Sequence, residues 1–324
     1  MSAGTPRGAD KSKAESTAAP SDQPDHRTHR ESTAVAQFAR HRNLLFTVAY
    51  EITASVADAE DVVQETYLRW AQAADQPGGI RQPRAYLVQI ATRQALNRLR
   101  SRARQREEYV GPWLPEPLLT APDVADDVVL AESVSMAMML VVENLSPDER
   151  AVFVLREVFG FGHDEIAAAV GKSPAAVRQI AHRARSHVQS RRPGLPGGQT
   201  DTVQVMERFM AATSSGDLQG LMDVLAPDVV LLSDGGGKVS AARRPVVTAD
   251  KVARLLIGLT THATGAWRLQ PAMINGRFGA LVFLDGALQT VGSVEIQDGL
   301  VSAVYLTRNP DKLGGVAAPW PLER

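Results

Sequence analysis

The hydrophobic pattern of the chain changes at the stretch SRRPGLPGGQT, residues 190–200. Two prolines and three glycines there end a helical pattern. Residues 34–190 repeat apolar side chains at steps of three and four, which is typical of amphipathic helices. Residues 201–324 instead contain short apolar runs separated by turn residues, which is typical of antiparallel hairpins. We therefore predict a multidomain protein with all-α domains before the break and an α+β domain after it.

The α+β part is predicted to begin with a helix containing Val203, Met206 and Phe209. A second helix is predicted at 251–259. The turns NGR, DGA and QDGL separate the later apolar runs, which favours a four-strand meander. The predicted strands are 229–233, 267–274, 278–284, 289–296 and 300–307.

Composition limits the other classes of protein. Met1 apart, residues 1–33 have no large aliphatic or aromatic side chain, so we predict a disordered tail. The chain has no cysteine, which excludes disulfides and thiolate metal sites. It also has no apolar run long enough for a membrane span and no hydrophobic signal core, so we expect a cytoplasmic protein without a membrane partner.

Charge is strongly segregated although the net charge is −1. Residues 76–106 contain eight arginines and no carboxylate, whereas residues 107–149 contain ten carboxylates and no Lys or Arg. The arginine block predicts a surface for a polyanion.

The stretch HDEIAAAVGKSPAAVRQIAHRARSHV, residues 163–188, predicts a helix-turn-helix. Gly171 permits the tight turn, and Ser173 followed by Pro174 is a good start for the second helix. The second helix would bury Val177, Ile180, Ala181, Ala184 and Val188. Its outer face would present Arg178, Gln179, His182 and Arg183, side chains suited to base edges in the major groove. Taken alone, the pattern also fits an ordinary helical hairpin with a solvated basic face.

Three stretches together resemble the extracytoplasmic-function sigma factors of the sigma-70 family. They are ADAEDVVQETYLRW (57–70), PRAYLVQIATRQALNRLRSRARQRE (83–107) and LSPDERAVFVLREVFGFGHDEIAAAVGKSPAAVRQIAHRAR (145–185). The resemblance implies a subunit that binds core RNA polymerase, recruits it to promoters and helps to melt them. It also implies sigma domain 2 at 34–108, an acidic linker at 109–135 and sigma domain 4 at 136–192, followed by a linker at 193–200.

The resemblance further implies roles for individual residues. Asp61, Gln64 and Glu65 match the segment that holds the polymerase. The downstream promoter element would be met by Arg84, Arg93, Arg98 and Arg100. The upstream element would be met by the second helix of the helix-turn-helix, through Ser173, Arg178, Gln179, His182 and Arg183.

Residues 201–324 resemble a SnoaL-like domain, a curved sheet wrapped by helices around a pocket. WLPEPL (113–118), DGGGK (234–238) and NPDKL (309–313) together resemble the sigma-factor subgroup that carries such a domain. The resemblance implies that the extra domain acts in cis on sigma activity through an intramolecular contact. We call this predicted surface the three-motif contact; its residues are Trp113, Leu114, Pro115, Asp234, Gly236, Lys238, Asn309, Pro310, Asp311 and Lys312.

Two other functions stay open from the sequence alone. The chain could be a one-component regulator that senses a ligand and binds an operator. Less strongly, it could be a cyclase-like or isomerase-like enzyme with a DNA-binding extension, and its polar pocket candidates would be Asp234, Arg244, His262 and Tyr305. We expect no catalytic residue, metal or cofactor, and a possible small ligand in the pocket of the SnoaL-like domain.

Substitution of Gly236 and Lys238 is expected to change transcription output rather than nucleotide affinity. The spacing of DGGGK differs from a phosphate-binding P-loop, so the motif would act as a turn within the three-motif contact. The measurement is promoter-dependent transcription in vitro alongside nucleotide binding. Unchanged output from a folded variant would reduce the motif to a simple turn.

Overall fold

The computed structural model describes residues 26–74, 80–106, 109–121, 127–190, 199–261, 265–316 and 318–324. Before the break the described chain is helical, and after it a six-stranded sheet is packed against helices. The fold class predicted from the sequence is therefore confirmed. The helices before the break are α1 (His26–Thr53), α2 (Val56–Ala74), α3 (Pro83–Arg106), α4 (Val128–Ser133), α5 (Met136–Val142), α6 (Pro147–Phe153) with a π-helical continuation (Val154–Val158), α7 (His163–Val170) and α8 (Pro174–Gln189).

The first helix begins earlier than predicted. Helix α1 starts at His26, so residues 26–33 are helical although they were assigned to the disordered tail. The helix extends upstream from Ala34 and Phe38, which are buried against the other helices. The rest of the predicted tail, residues 1–25, lies outside the described residues.

Helices α1, α2 and α3 share one hydrophobic core with α6, α7 and α8. In α2 the side chains of Val62, Val63 and Trp70 are buried, and the Trp70 indole N–H donates to the Ala34 carbonyl at 2.8 Å. The Asp58 carboxylate near the start of α2 is buried as well. Helix α3 packs beside α2 and places Arg102 2.7 Å and Arg98 3.5 Å from the Asp58 carboxylate.

The helix-turn-helix is confirmed in detail. Gly171 ends α7 with a left-handed φ of +70°, a conformation that glycine adopts without strain. The Ser173 hydroxyl accepts a hydrogen bond from the Ala176 N–H and begins α8, with Pro174 as its first residue. All five apolar side chains predicted to face inward from α8 are buried.

The elements of the C-terminal domain are α9 (Gln199–Ser215), α10 (Leu218–Val224), β1 (Leu225–Asp234), β2 (Val246–Val247), α11 (Ala249–Thr261), β3 (Trp267–Ile274), β4 (Arg277–Leu284), β5 (Ala287–Gln297), β6 (Leu300–Thr307) and two 3₁₀ turns (Pro310–Lys312 and Gly314–Val316). The strands form one sheet in the order β2-β1-β6-β5-β4-β3. Strands β3 to β6 form the predicted antiparallel meander, and β1 pairs with β6 in parallel. The short strand β2 was not predicted.

The two faces of this sheet contact different partners. One face packs on α9, α10 and α11 around Val229, Val294 and Val304. The opposite face carries Tyr305, which packs with Leu114 of the linker and Met136 of α5. The sheet therefore lies between its own helices and the helical domains.

Residues 109–121 contact the sheet at several points, with Leu114 bonded to Asp234 of β1 and Leu118 bonded to Asn275 after β3. Leu119 forms a β-bridge with Ile274 of β3, and Thr120 forms another with Trp320 near the C-terminus. The segment predicted as linker, 109–135, also contains helix α4. Among the described helices, none has the length and apolar character needed to cross a bilayer.

Glu51 in α1 is a buried carboxyl between the helical domains. It accepts a hydrogen bond from the Ser133 hydroxyl of α4 at 2.7 Å, and its backbone carbonyl accepts one from Arg150 of α6 at 2.9 Å. Burial raises the pKa of Glu51 from 4.5 to about 8, against the opposing effects of the Ser133 hydrogen bond and the Arg150 charge.

Replacing Glu51 is expected to change how stability depends on pH. Between pH 4.5 and about 8 the folded chain keeps a proton on Glu51 that the unfolded chain has released. The free energy of unfolding should therefore fall as pH rises, by at most about 1.4 kcal/mol per pH unit. Glu51→Gln should weaken this fall in urea denaturation at several pH values, whereas Asp250→Asn, at an exposed carboxylate, should follow the wild type. Parallel pH profiles for Glu51→Gln and wild type would contradict this account.

Candidate functional site

The Asp234 carboxylate lies at the end of β1 and is fully buried. One oxygen accepts hydrogen bonds from the Tyr109 hydroxyl at 2.6 Å and the Gly236 N–H at 3.0 Å. The other accepts from the Leu114 N–H at 2.9 Å and the Lys312 ammonium at 2.7 Å. Two of the four donors belong to the linker that joins the helical domains. Asp234 therefore attaches the C-terminal domain to that linker.

Lys312 provides the countercharge for Asp234. Its side chain is also buried, and its ammonium donates a second hydrogen bond to the Leu114 carbonyl at 2.6 Å. The same ammonium lies 4.1 Å from the ring centre of Trp113 and 5.0 Å from that of Tyr109, within the range of a cation–π interaction. The buried cation is thus compensated by one carboxylate, one carbonyl and two rings.

Gly236 approaches Asn309 too closely for any other residue. A Cβ atom at Gly236 would collide with the Asn309 side chain, and the φ of Gly236 is +60°. The Asn309 amide donates to the Tyr109 hydroxyl at 2.9 Å, and its side-chain oxygen accepts from the Asp311 N–H at 3.1 Å. The DGGGK and NPDKL motifs therefore pack against each other, and Asn309 also bonds the linker through Tyr109.

Other residues of the predicted three-motif contact lie at its edge or outside it. Lys238 and Asp311 form an exposed ion pair within the C-terminal domain. Pro310 is exposed at the start of its 3₁₀ turn, while Pro115 is buried in the linker. The structure thus brings together Trp113, Leu114, Asp234, Gly236, Asn309 and Lys312.

Sequence reasoning missed Glu116, which belongs to the WLPEPL motif. Its carboxylate accepts hydrogen bonds from the Val56 N–H at 2.7 Å and the Ser55 hydroxyl at 2.8 Å. These donors lie at the start of α2, where a negative charge favours the helix. Glu116 lies eight residues after the predicted end of domain 2, and this position gave no signal of the contact, because only the fold returns the linker to α2.

Asn275 was also missed, and it joins three parts of the chain. Its amide donates to the Tyr50 hydroxyl at 2.7 Å and to the Val134 carbonyl at 2.8 Å, and its oxygen accepts from the Leu118 N–H at 2.9 Å. In the sequence it looks like an ordinary turn residue of NGR, and it does occupy a left-handed turn with φ +53°.

The C-terminal segment packs on the first helical domain. Trp320 stacks on Phe46 of α1 with ring centres 4.4 Å apart. The backbone N–H of Trp320 donates to the Leu119 carbonyl at 2.9 Å. The Glu323 N–H donates to the Thr47 hydroxyl at 3.1 Å. The C-terminal domain therefore contacts the helical domains at sites beyond the three-motif contact.

Three of the arginines assigned to the downstream promoter element make contacts with other residues of the protein. Arg93 of α3 donates to the Ala168 carbonyl in α7 at 2.8 Å. Arg100 lies 2.7 Å from Asp148 in α6, which also pairs with Lys172. The Arg84 guanidinium lies 4.6 Å from the ring centre of buried Phe161.

The predicted polymerase-binding face of α2 is partly used as well. Arg98 forms an ion pair with Asp61 at 2.9 Å, so a predicted DNA contact and a predicted polymerase contact pair with each other. Glu65 pairs with Arg69 one turn away at 2.9 Å, whereas Gln64 is exposed. Leu68 on the same face is 61% exposed, which sequence reasoning did not single out.

The outer face of α8 is open to solvent. All of its predicted DNA contacts apart from the cap are exposed and line one shallow depression of the surface: Arg178, Gln179, His182 and Arg183. Ser173 is exposed too, and its hydroxyl caps the helix. The arrangement leaves the second helix free to meet a DNA groove.

The polar residues considered for an enzyme pocket do not form one. Asp234 lies in the three-motif contact and Tyr305 faces Leu114, so neither lines the cavity of the C-terminal domain. Arg244 is exposed, and His262 lies outside the described residues. Among the residues that the structure describes, no group of three His, Asp or Glu side chains could hold a metal ion.

Comparisons with known proteins agree with this organisation. Residues 37–105 match the family description Sigma-70 region 2, and residues 135–188 match Sigma-70, region 4. The chain is 41% identical over 296 residues to the ECF RNA polymerase sigma factor SigJ of Mycobacterium tuberculosis, covering 87% of this chain and 93% of the relative. It is 30% identical over 287 residues to a probable ECF RNA polymerase sigma factor, SigI, of the same species, covering 87% and 96%.

The similarity extends to the three-dimensional structure. The crystal structure of the Mycobacterium tuberculosis extracytoplasmic function sigma factor SigJ superposes with a TM-score of 0.70 at 38% identity. It covers 87% of this chain and 99% of that one, so the likeness includes the C-terminal domain.

Asp234→Asn is expected to destabilise the fold because it leaves the Lys312 cation buried without a countercharge. We expect a loss of about 3 kcal/mol or more in the free energy of unfolding, measured by urea denaturation of the full chain. Asp311→Asn is the matched control, because it breaks the exposed ion pair with Lys238 and should cost less than about 1 kcal/mol. Equal losses in the two variants would show that Asp234 and Lys312 do not form a buried pair in solution.

Proposed function

This chain belongs to the extracytoplasmic-function sigma factors of the sigma-70 family, and we propose that its C-terminal domain inhibits it in cis. As a member of this family it binds core RNA polymerase and directs promoter-specific initiation of transcription, and it is not an enzyme. The proposed inhibition acts by holding domains 2 and 4 together. Because its partners are polymerase and promoter DNA, we place its action in the cytoplasm.

The observation that supports the inhibition is that arginines assigned to the downstream promoter element make contacts within the protein instead. Arg93 and Arg100 reach from α3 of domain 2 to α7 and α6 of domain 4. Phosphates of promoter DNA would compete for the same guanidinium groups. We propose that the downstream element is bound only after α3 separates from α6 and α7.

The C-terminal domain supports the contact between domains 2 and 4 in two places, through Asn275 and through the Asp234 and Lys312 pair. Asn275 bonds Tyr50 of domain 2 and Val134 at the end of the linker, so one side chain connects domain 2 to the segment that leads into domain 4. The Asp234 and Lys312 pair fixes the linker that must rearrange if the domains are to separate. Covalent attachment gives these contacts a high effective concentration, so no separate inhibitor is required.

We further propose which surfaces meet the partners. Asp61, Gln64 and Glu65 would bind the polymerase, with exposed Leu68 adding an apolar contact on the same face of α2. The outer side chains of α8 would read the upstream element. The downstream element would be contacted by Arg84, Arg93, Arg98 and Arg100.

An operator-binding regulator is a weaker alternative. It gives no role to residues 37–105, which match the region 2 description. Stable association with core polymerase distinguishes the two, because an operator-binding protein does not require it. A small ligand in the C-terminal domain remains compatible with the sigma-factor function.

Loosening the three-motif contact is expected to raise initiation from the target promoter. Asp234→Asn, and a chain ended at Thr200, should each give more transcript per polymerase than the full-length protein in vitro, because α3 is freed from α6 and α7. Asp311→Asn should behave as wild type. The measurement is run-off transcription with core enzyme at matched amounts of folded sigma factor. Equal output from Asp234→Asn, Asp311→Asn and wild type would contradict inhibition in cis.

A further inference from the structure

A cavity of about 170 Å³ lies between the sheet of the C-terminal domain and helices α9 and α11. Its walls are mostly apolar. The principal contributors are Met206, Phe209, Leu256, Trp267, Val282 and Leu306. An apolar protein cavity of about 150 Å³ stays dry and binds benzene. The present cavity therefore has room for the apolar body of a small organic molecule.

Arg308 is the one charged residue among those lining this cavity. It follows β6 directly, at the same end of the sheet as Trp267, Leu284 and Thr290. Its guanidinium donates to the Ser240 carbonyl, and no carboxylate of the described residues forms an ion pair with it. Arg308 is half-buried, and this partial desolvation of the guanidinium lowers its pKa.

Two polar residues of the wall are already hydrogen-bonded, whereas the buried hydroxyl of Ser293, which also lies in the lining, has no hydrogen-bond partner among the described residues. Thr213 and Thr260 donate their hydroxyls to carbonyls of their own helices, at 2.7 and 2.9 Å. The cavity thus presents an apolar chamber with one unneutralised cation at its end. A ligand that fits both features has an apolar body and a single anionic group.

We infer that this cavity binds a small apolar monocarboxylate, with the carboxylate on Arg308 and the hydrocarbon part between α9, α11 and the sheet. A carboxylate would meet the planar guanidinium through charge-assisted hydrogen bonds. Taking the six carbons of benzene in the 150 Å³ cavity as the scale, the hydrocarbon part of the ligand has about seven carbon atoms, to which the carboxylate at Arg308 adds about three atoms.

Arg308 also connects the cavity to the three-motif contact. Its backbone N–H donates to the Asp234 carbonyl at 2.7 Å, and the next N–H, of Asn309, donates to the same oxygen at 2.9 Å. Its side chain holds Ser240, which follows the DGGGK turn. A carboxylate that draws the guanidinium from Ser240 acts directly beside Asp234. This coupling rests on the proposed inhibition in cis, whereas the binding itself does not.

The binding is tested by calorimetry on the purified full-length chain, with octanoate and 1-octanol as probes. Octanoate should bind saturably with one molecule per chain. Arg308→Gln should weaken octanoate about tenfold or more and leave 1-octanol unchanged, since only the carboxylate meets the guanidinium. Arg254→Gln, which changes an exposed arginine on α11 paired with Asp250, should leave both affinities as in wild type.

A second variant tests the location. Gly292 lines the cavity, and a Cβ there would make only ordinary contacts, 3.5 Å from Leu306 and 3.8 Å from the Ala280 carbonyl. Gly292→Leu should fill the chamber and abolish binding of both probes. Absence of saturable octanoate binding to wild type, retained binding in Gly292→Leu, or equal losses for the two probes in Arg308→Gln would each overturn the site.

The coupling is tested separately by transcription. Octanoate should change the output of the wild-type chain and leave that of Gly292→Leu unchanged. The same response in both proteins, or none in a wild-type chain shown to bind octanoate, would overturn the coupling while leaving the site. An error in the proposed inhibition in cis would be detected without any ligand, as equal transcription from Asp234→Asn and wild type.

Discussion

The burial of Asp234 constrains the arrangement of the whole chain. A carboxylate removed from water needs several donors, and within its own domain it finds Lys312 and the Gly236 N–H. The remaining two come from Tyr109 and Leu114 of the linker. A buried ion pair adds little net stability, but losing a partner of either buried charge is costly, which favours the arrangement in which all four donors reach Asp234. Asp234 therefore fixes where the linker lies on the sheet.

The position of the linker then determines how the two promoter-binding domains meet. Glu116 holds the start of α2, and Leu118 and Val134 are both bonded to Asn275. Helix α3 shares a hydrophobic core with α6, α7 and α8, and the polar contacts that it adds to domain 4 involve neutral or partly exposed groups. Arg93 bonds uncharged carbonyls, and the Arg100 pair with Asp148 is partly exposed. In the proposed mechanism, phosphates of promoter DNA would replace these polar contacts as α3 separates from domain 4.

The curved sheet separates two surfaces with different chemistry. The face toward α9 and α11 surrounds the apolar cavity, and the opposite face packs Tyr305 against the linker. Arg308 and Asn309 follow β6 side by side, one lining the cavity and the other bonded to Tyr109. Because close-packed interiors transmit strain, a displacement at the end of β6 would reach both surfaces.

The sequence by itself determined the local structure. Its apolar periods placed the helices and the meander, and Gly171, Ser173 and Pro174 placed the helix-turn-helix, because these signals act within a few residues. It also marked Asp234 and Lys312 through their motifs. Only the tertiary structure decided that Asp58 is buried, that Arg93 and Arg100 face domain 4, and that Glu116 and Asn275 join separate domains. These outcomes depend on charges and carbonyls brought together from distant parts of the chain, and no local pattern records which partner a side chain will meet.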